Sequence, residues 1–113
     1  LSLLLSNNKN IKILNKSFRN KNKPTDILSF PFNEKNKIKD HAYIGDIIIS
    51  YNFINKPRSQ KLKIFKVKLI KIFIHGFLHL LGFDHIKYKD FKKMKKIEQQ
   101  IYQSVISKLN YIE

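Results

Sequence analysis

Three histidines fall within the run His75-Gly-Phe-Leu-His79-Leu-Leu-Gly82-Phe-Asp84-His85. Imidazole is the commonest metal-binding side chain. His75 and His79 are one helical turn apart, so a helix here presents both rings from one face. Gly82 can take the left-handed conformation that ends a helix, and a reversal there brings His85 back to the same point. Three imidazoles leave one position of a tetrahedral metal open, the arrangement of catalytic rather than structural zinc sites. The expected cofactor is therefore one Zn2+ ion held by His75, His79 and His85.

The spacing His-x-x-x-His-x-x-Gly-x-x-His is the one used by metzincin proteases. Those enzymes place a glutamate directly after the first histidine as general base. Here that position is Gly76, which has no side chain to take a proton, so proteolysis by that route is disfavoured. Asp84 is the nearest acidic residue in sequence. It serves either to orient a ligand imidazole or to bond the backbone of a turn.

The elements that must position these rings follow from the residue pattern. Leu1 to Leu5 reads as a short apolar strand. Ser6-Asn-Asn then offers capping chemistry for a helix over about residues 8 to 19, with Ile11, Leu14 and Phe18 on its apolar face. Pro24 biases Lys23 away from helix. Ile27 to Phe32 reads as a strand that Pro31 assigns to an edge or a terminus. Residues 33 to 41, including His41, read as a charged surface loop. The β-branched run in Tyr43 to Ser50 marks the clearest strand, central in the sheet and buried on both faces. Ser50 can cap a short helix that Pro57 interrupts.

From about Gln60 to Leu81 the pattern predicts a long, mostly apolar helix at the centre of the fold. Its polar stripe is Lys68, Lys71, His75 and His79, so two lysines share the histidine face. A final helix over Tyr88 to Leu109 has Phe91, Met94, Ile97, Ile101 and Val105 as its core stripe. No repeat or linker divides the chain. The expectation is one domain over residues 1–113 of the α/β (α+β) class, a small mixed β-sheet packed with helices.

Composition narrows the function. The chain has 113 residues, 42% of them hydrophobic, enough for a real core. It has no cysteine, which excludes disulfides and thiolate metal sites and fits a reducing, cytoplasmic setting. The apolar opening is too short for a signal-peptide core, and no stretch is long enough for a membrane span. The chain begins at Leu1 rather than Met, consistent with a missing N-terminal piece. A formal net charge of +15 favours a polyanion, nucleic acid first and an acidic membrane surface second. Lysine supplies nearly all of it. Only Arg19 and Arg58 are arginines, and a retained arginine points to use of its planar fork.

The histidine run resembles the metal motif of the YbeY endoribonucleases, the bacterial rRNA maturation factors. Two further blocks are similar to that family, Asn15-Lys-Ser-Phe-Arg19-Asn-Lys-Asn-Lys-Pro24-Thr-Asp-Ile-Leu-Ser-Phe-Pro-Phe32 and Ile44-Gly45-Asp46-Ile-Ile-Ile-Ser50. The resemblance implies a mixed sheet with a central helix carrying the first two ligands, and a zinc held by His75, His79 and His85. It implies cleavage of single-stranded RNA, in maturing the 3′ end of small-subunit 16S rRNA and in ribosome quality control, with the small ribosomal subunit as partner and no membrane. The family's important arginine falls on Arg19. Family members usually carry another strand and helix before the position of Leu1, and the segment holding Pro57 is usually helical.

In this reading Arg19 holds a phosphate by two parallel hydrogen bonds, and Lys68 and Lys71 extend a positive track for the RNA backbone. Thr25 and Asp26 read as turn residues, and Gly45 and Asp46 as the entry and cap of their strand. Two rival readings are a zinc metallopeptidase-like hydrolase with a displaced base, and a non-catalytic ribosome-binding factor with structural zinc. A fourth protein ligand would favour the latter, and His41 is the spare histidine.

Overall fold

The computed structural model describes residues 1–32 and 43–112, with side chains through residue 109. In chain order the elements are β1 (Ser2–Ser6), α1 (Asn8–Arg19), β2 (Ile27–Pro31), β3 (Gly45–Ser50), α2 (Tyr51–Ile54), α3 (Leu62–Leu80) and α4 (Tyr88–Ile112). The expected loop over 33 to 41, with His41, lies outside the described residues.

The β-branched run Ile47-Ile-Ile49 is the middle of a three-stranded sheet of order β1-β3-β2. β1 runs parallel to β3, with Leu4 opposite Ile48. β2 runs antiparallel, with Leu28 opposite Ile48 and Pro31 opposite Gly45. The sheet is therefore mixed, and Pro31 ends an outer strand, where its missing N–H leaves no gap in the ladder. Gly45 has φ 141°, and a Cβ there would stand 2.3 Å from the Phe30 carbonyl oxygen. Only glycine allows the two strands to approach so closely at this point.

The two sheet faces are unequal. Ile27, Ile47 and Ile49 face α3 and form one core cluster with Ile54 and Leu80, closed by Phe65, Leu69, Ile72, Phe73 and Phe77. The opposite face, with Leu28 and Phe30, meets α1, where Phe18 packs edge-on to Phe30 at 5.1 Å between ring centroids. Ile48 on that side is only half-buried. Burial of β3 thus alternates along the strand, a correction to the expectation of burial on both faces. The short α1 covers less of the sheet than α3 does.

Both ends of α1 are explained by its asparagines. The Asn7 side chain accepts from the backbone N–H of Asn10 at 2.8 Å. Asn20 closes the helix with φ 56°, a left-handed conformation that asparagine tolerates. Buried Asn15 donates from its amide to the Lys23 carbonyl at 2.8 Å, which ties the turn before β2 onto the helix. Ser50 does not cap α2 with its side chain. Its hydroxyl lies 2.7 Å from the Asn8 side-chain oxygen, so it joins β3 to α1 instead.

α3 is seated on β2 by a missing side chain. A Cβ at Gly76 would stand 2.4 Å from Ile27 Cδ1 and 2.9 Å from Ser29 Oγ. The Ser29 hydroxyl donates to the Gly76 carbonyl at 3.1 Å. α4 closes the other side of α3, where Ile74, Leu78 and Met94 are buried with Phe83, Ile97, Ile101 and Tyr102 against them. Of the expected α4 stripe, Met94 is the anchor at 1% exposure, whereas Phe91 is 44% exposed and is not a core residue.

Two outcomes follow for stability. Gly76→Ala gains about 1 kcal/mol of helix propensity and loses about 1–3 kcal/mol to overpacking, so urea unfolding gives a net loss of up to about 2 kcal/mol; Gly76→Glu loses more, and no loss in either refutes the close approach. The second concerns Asp46, which accepts from the Ser2 and Tyr43 hydroxyls. Those bonds, Ser2 first, hold its carboxyl below the usual carboxylate value of 3.8. A carboxyl whose folded value is depressed stabilises the fold above the unfolded value and loses that effect as pH falls through the lower folded one. Asp46→Asn therefore melts below wild type at pH 6, and the gap narrows as both are taken below about pH 4.

Candidate metal centre

The end of α3 builds the site. Leu81 is the C-cap of α3 and Gly82 follows with φ 97°. The Gly82 N–H donates to the His79 carbonyl and the Phe83 N–H to the Leu78 carbonyl, each at 3.1 Å. This is a Schellman cap, with Phe83 packed into the same cluster as Leu78. The chain then turns through Asp84, whose carboxylate accepts from the Ile86 N–H at 3.3 Å. Asp84 is thus a turn residue. The turn delivers His85 beside the other two histidines.

The rings converge. Centroid separations are 4.6 Å for His75–His79, 5.5 Å for His75–His85 and 5.2 Å for His79–His85. One ligand nitrogen from each lies within 4.8 Å of the others. His75 and His79 are half-buried and His85 is exposed.

Two bonds decide which nitrogens face the centre. His75 Nδ1 is 2.7 Å from a Glu98 carboxylate oxygen, and His79 Nδ1 is 2.9 Å from the Phe83 carbonyl oxygen. Both partners accept, so each Nδ1 carries a proton, and in a neutral ring Nε2 then keeps its lone pair. Those two Nε2 atoms stand 3.0 Å apart. At that distance the two nitrogens share either a proton or a metal ion, and in the neutral rings both lone pairs are free for a metal. Two nitrogens on a tetrahedral zinc are separated by about 3.3 Å. Burial, and then the neighbouring His75, hold the His79 pKa below its usual 6.5, which favours the neutral, ligating form. The donor set therefore fits a metal ion, and His75, His79 and His85 are the residues that can hold it.

Glu98 is absent from the sequence reading. One signal could have found it. Glu98 stands four residues after buried Met94 and three before Ile101, on the core-facing side of α4 in a chain poor in acids. Distance in sequence hides it, because only the packing of α4 on α3 brings it to His75.

The other expected site residues are placed differently. Lys68 donates from Nζ to the Lys56 carbonyl at 2.8 Å and to Gln60 Oε1 at 2.7 Å, which fastens the connection between α2 and α3. Lys71 Nζ lies 4.8 Å from the Tyr102 ring centroid. Both line a cavity of about 490 Å³ with His75, Glu98, Phe53 and Asp26. Asp26, read from sequence as a turn residue, thus also borders the histidine site. Arg19 occupies the exposed last turn of α1, where its charge favours the helix C-terminus. No described contact joins it to the histidines.

Orienting carboxylates typically contribute 10- to 100-fold to metal affinity. With Zn2+ as the probe ion, Glu98→Gln is expected to weaken metal binding by about tenfold and Glu98→Ala by up to about 100-fold. The readout is chelator competition, with the rise in melting temperature on adding metal as a second measure. Unchanged affinity in both variants would show that Glu98 does not orient His75.

The family model described as Endoribonuclease YbeY matches residues 1–106. The chain is 64% identical over 109 residues to the endoribonuclease YbeY of Pelagibacter ubique, covering 96% of this chain and 71% of that protein. It is 39% identical over 106 residues to that of Fusobacterium nucleatum, covering 92% and 65%. It is 38% identical over 114 residues to that of Bartonella bacilliformis, covering 100% and 72%. The chain thus spans 65 to 72% of the length of these relatives. With a matching model over nearly its whole length and a histidine centre of this geometry, the chain belongs to the Endoribonuclease YbeY family.

Proposed function

We propose that residues 1–113 act as one metal-dependent endoribonuclease domain that cleaves single-stranded RNA. The substrate is rRNA, in 3′-end maturation of small-subunit 16S rRNA and in ribosome quality control, with the small subunit as partner and the cytoplasm as setting. The observation that carries this reading is the convergence of three imidazoles, with the Nε2 atoms of His75 and His79 3.0 Å apart and His85 beside them. The relatives' names as endoribonucleases and the net charge of +15 support it. Among the described residues, no helix is long and apolar enough to cross a membrane.

Zinc is the proposed ion, since three neutral imidazoles with an open position suit it. When bound, it supplies Lewis acidity at the scissile phosphate or its nucleophile. The chain's own residues do the rest. Glu98 and the Phe83 carbonyl hold two ligand rings in one tautomer. Arg19, exposed and without a described side-chain partner, takes the phosphate through its planar fork. Lys71, and Lys68 less so because its ammonium is already bonded, add positive charge beside His75.

A metallopeptidase reading gains nothing from the site. Position 76, where such an enzyme carries its base, is pressed against Ile27 and Ser29, away from the histidines. A non-catalytic factor with structural metal remains distinguishable by assay.

Metal-loaded protein is expected to cleave single-stranded RNA, to leave unstructured protein intact, and to lose cleavage with chelator. His79→Ala falls to background. Arg19→Ala falls by about 10²–10³-fold, the scale for removing one charge-stabilising donor. Equal cleavage by wild type and both variants would identify contamination. Full activity of Arg19→Ala alone would make Arg19 structural. A metal-stabilised chain that cuts no RNA would leave the non-catalytic reading.

A further inference from the structure

Residues 87–96 hold Lys87, Lys89, Lys92, Lys93, Lys95 and Lys96 against one carboxylate, Asp90. The same segment exposes aromatic rings. Tyr88 is 72% exposed and Phe91 44%. Lys92 Nζ lies 4.9 Å from the Tyr88 ring centroid, and Lys95 Nζ lies 5.8 Å from that of Phe91. Tyr88, Phe91, Lys92 and Lys95 are spaced three and four apart, so two rings, each with a lysine one turn on, share one helix face.

That face leads to the histidines. Phe91 and Lys95 line a cavity of about 180 Å³ together with His75, His85, Met94 and Glu98. One turn further along α4, Glu98 bonds His75. The rings are held by cations rather than by core packing, so they are open to a flat ligand once the lysines swing away.

We propose that the Tyr88–Phe91–Lys92–Lys95 face of α4 is a stacking platform for single-stranded RNA, which feeds the strand to the histidine centre. A nucleobase stacks on Tyr88, and the next toward the cavity stacks on Phe91. Lys92 and Lys95 leave the rings for the flanking phosphates. Every base offers a π-face, so the platform is tolerant of sequence. It is selective for unpaired strands, because a duplex does not expose its base faces. Charge favours this occupant, since each ring is paired with a lysine and the face ends at a centre suited to phosphodiester chemistry. The inference rests on the endoribonuclease reading above.

The test uses the metal-free 113-residue chain and a single-stranded RNA oligonucleotide carrying one 2-aminopurine, whose fluorescence is quenched by stacking. Tyr88→Ala, Phe91→Leu and the double variant Lys92→Gln/Lys95→Gln are compared with wild type, with thermal melting as the control for folding. Wild type quenches the probe. Tyr88→Ala and Phe91→Leu each bind about fivefold or more weakly, with less quenching and an unchanged melt. The double lysine variant lowers the slope of log K against log salt by about 1.4. Folded ring variants that bind and quench like wild type, while wild type cleaves RNA, overturn the platform and leave the endoribonuclease reading standing. A wild type that neither binds nor cleaves RNA overturns both. Binding to phosphatidylserine vesicles in place of RNA also overturns the platform, by assigning the face to a membrane.

Discussion

The termination of α3 is the constraint on which the histidine cluster depends. One residue with positive φ, Gly82, lets the Phe83 N–H reach back to the Leu78 carbonyl. That bond has three consequences at once. Phe83 enters the core between α3 and α4, its carbonyl turns to accept from His79, and the chain reverses so that His85 joins the pair. Had α3 run on for another turn, the third imidazole would lie on a different face and His79 would have no backbone partner. The reversal also sets where α4 begins, and hence that Glu98 meets His75.

The second constraint is spatial. α3 must sit close on β2 for His75 and His79 to border the site while Phe73, Phe77 and Leu80 fill the sheet-facing core. Gly76 is the residue that permits this approach. Its lack of a side chain, which from sequence argues against a proteolytic base, has a packing reason in the structure, because Ile27 and Ser29 occupy the space. A glutamate could not be accommodated there without moving β2. One small residue therefore serves the fold, and in doing so removes one class of chemistry from the motif.

Charge is organised less simply than composition suggests. Lys68 and Lys71, read from sequence as one track, border the same cavity but are held differently. Lys68 is bonded to backbone and to Gln60, so its stem and charge brace a connection. Lys71 lies over Tyr102, and Lys92 and Lys95 lie over the rings of α4. A surface cation held against a ring is only weakly tethered, and it stays available to a phosphate in a way that a doubly bonded ammonium does not.

Much of the fold was legible because its signals are local. Asn7 and Asn20 bracket α1 where the polar residues indicate, the β-branched run is the central strand, and Pro31 closes an outer one. The spacing of His75 and His79, the glycine after them and the return of His85 specify a three-imidazole site without reference to anything distant. What the sequence left open depends on contacts between elements remote in the chain. The half-exposure of Phe91, the unequal burial of the two faces of β3, the diversion of the Ser50 hydroxyl to Asn8 and the pairing of Lys68 follow from which element covers which. The choice of Asp84 as turn residue and Glu98 as the partner of His75 is the clearest case. A carboxylate next to the motif in sequence is held by its own turn, whereas one twenty-three residues away is carried to the imidazole by helix packing. The amino-acid sequence by itself determined which side chains can hold a metal, since that needs only helical periodicity and one left-handed residue. Tertiary structure decided how those side chains are protonated and aimed, since the groups that accept their protons arrive only when α4 packs on α3 and the helix cap closes.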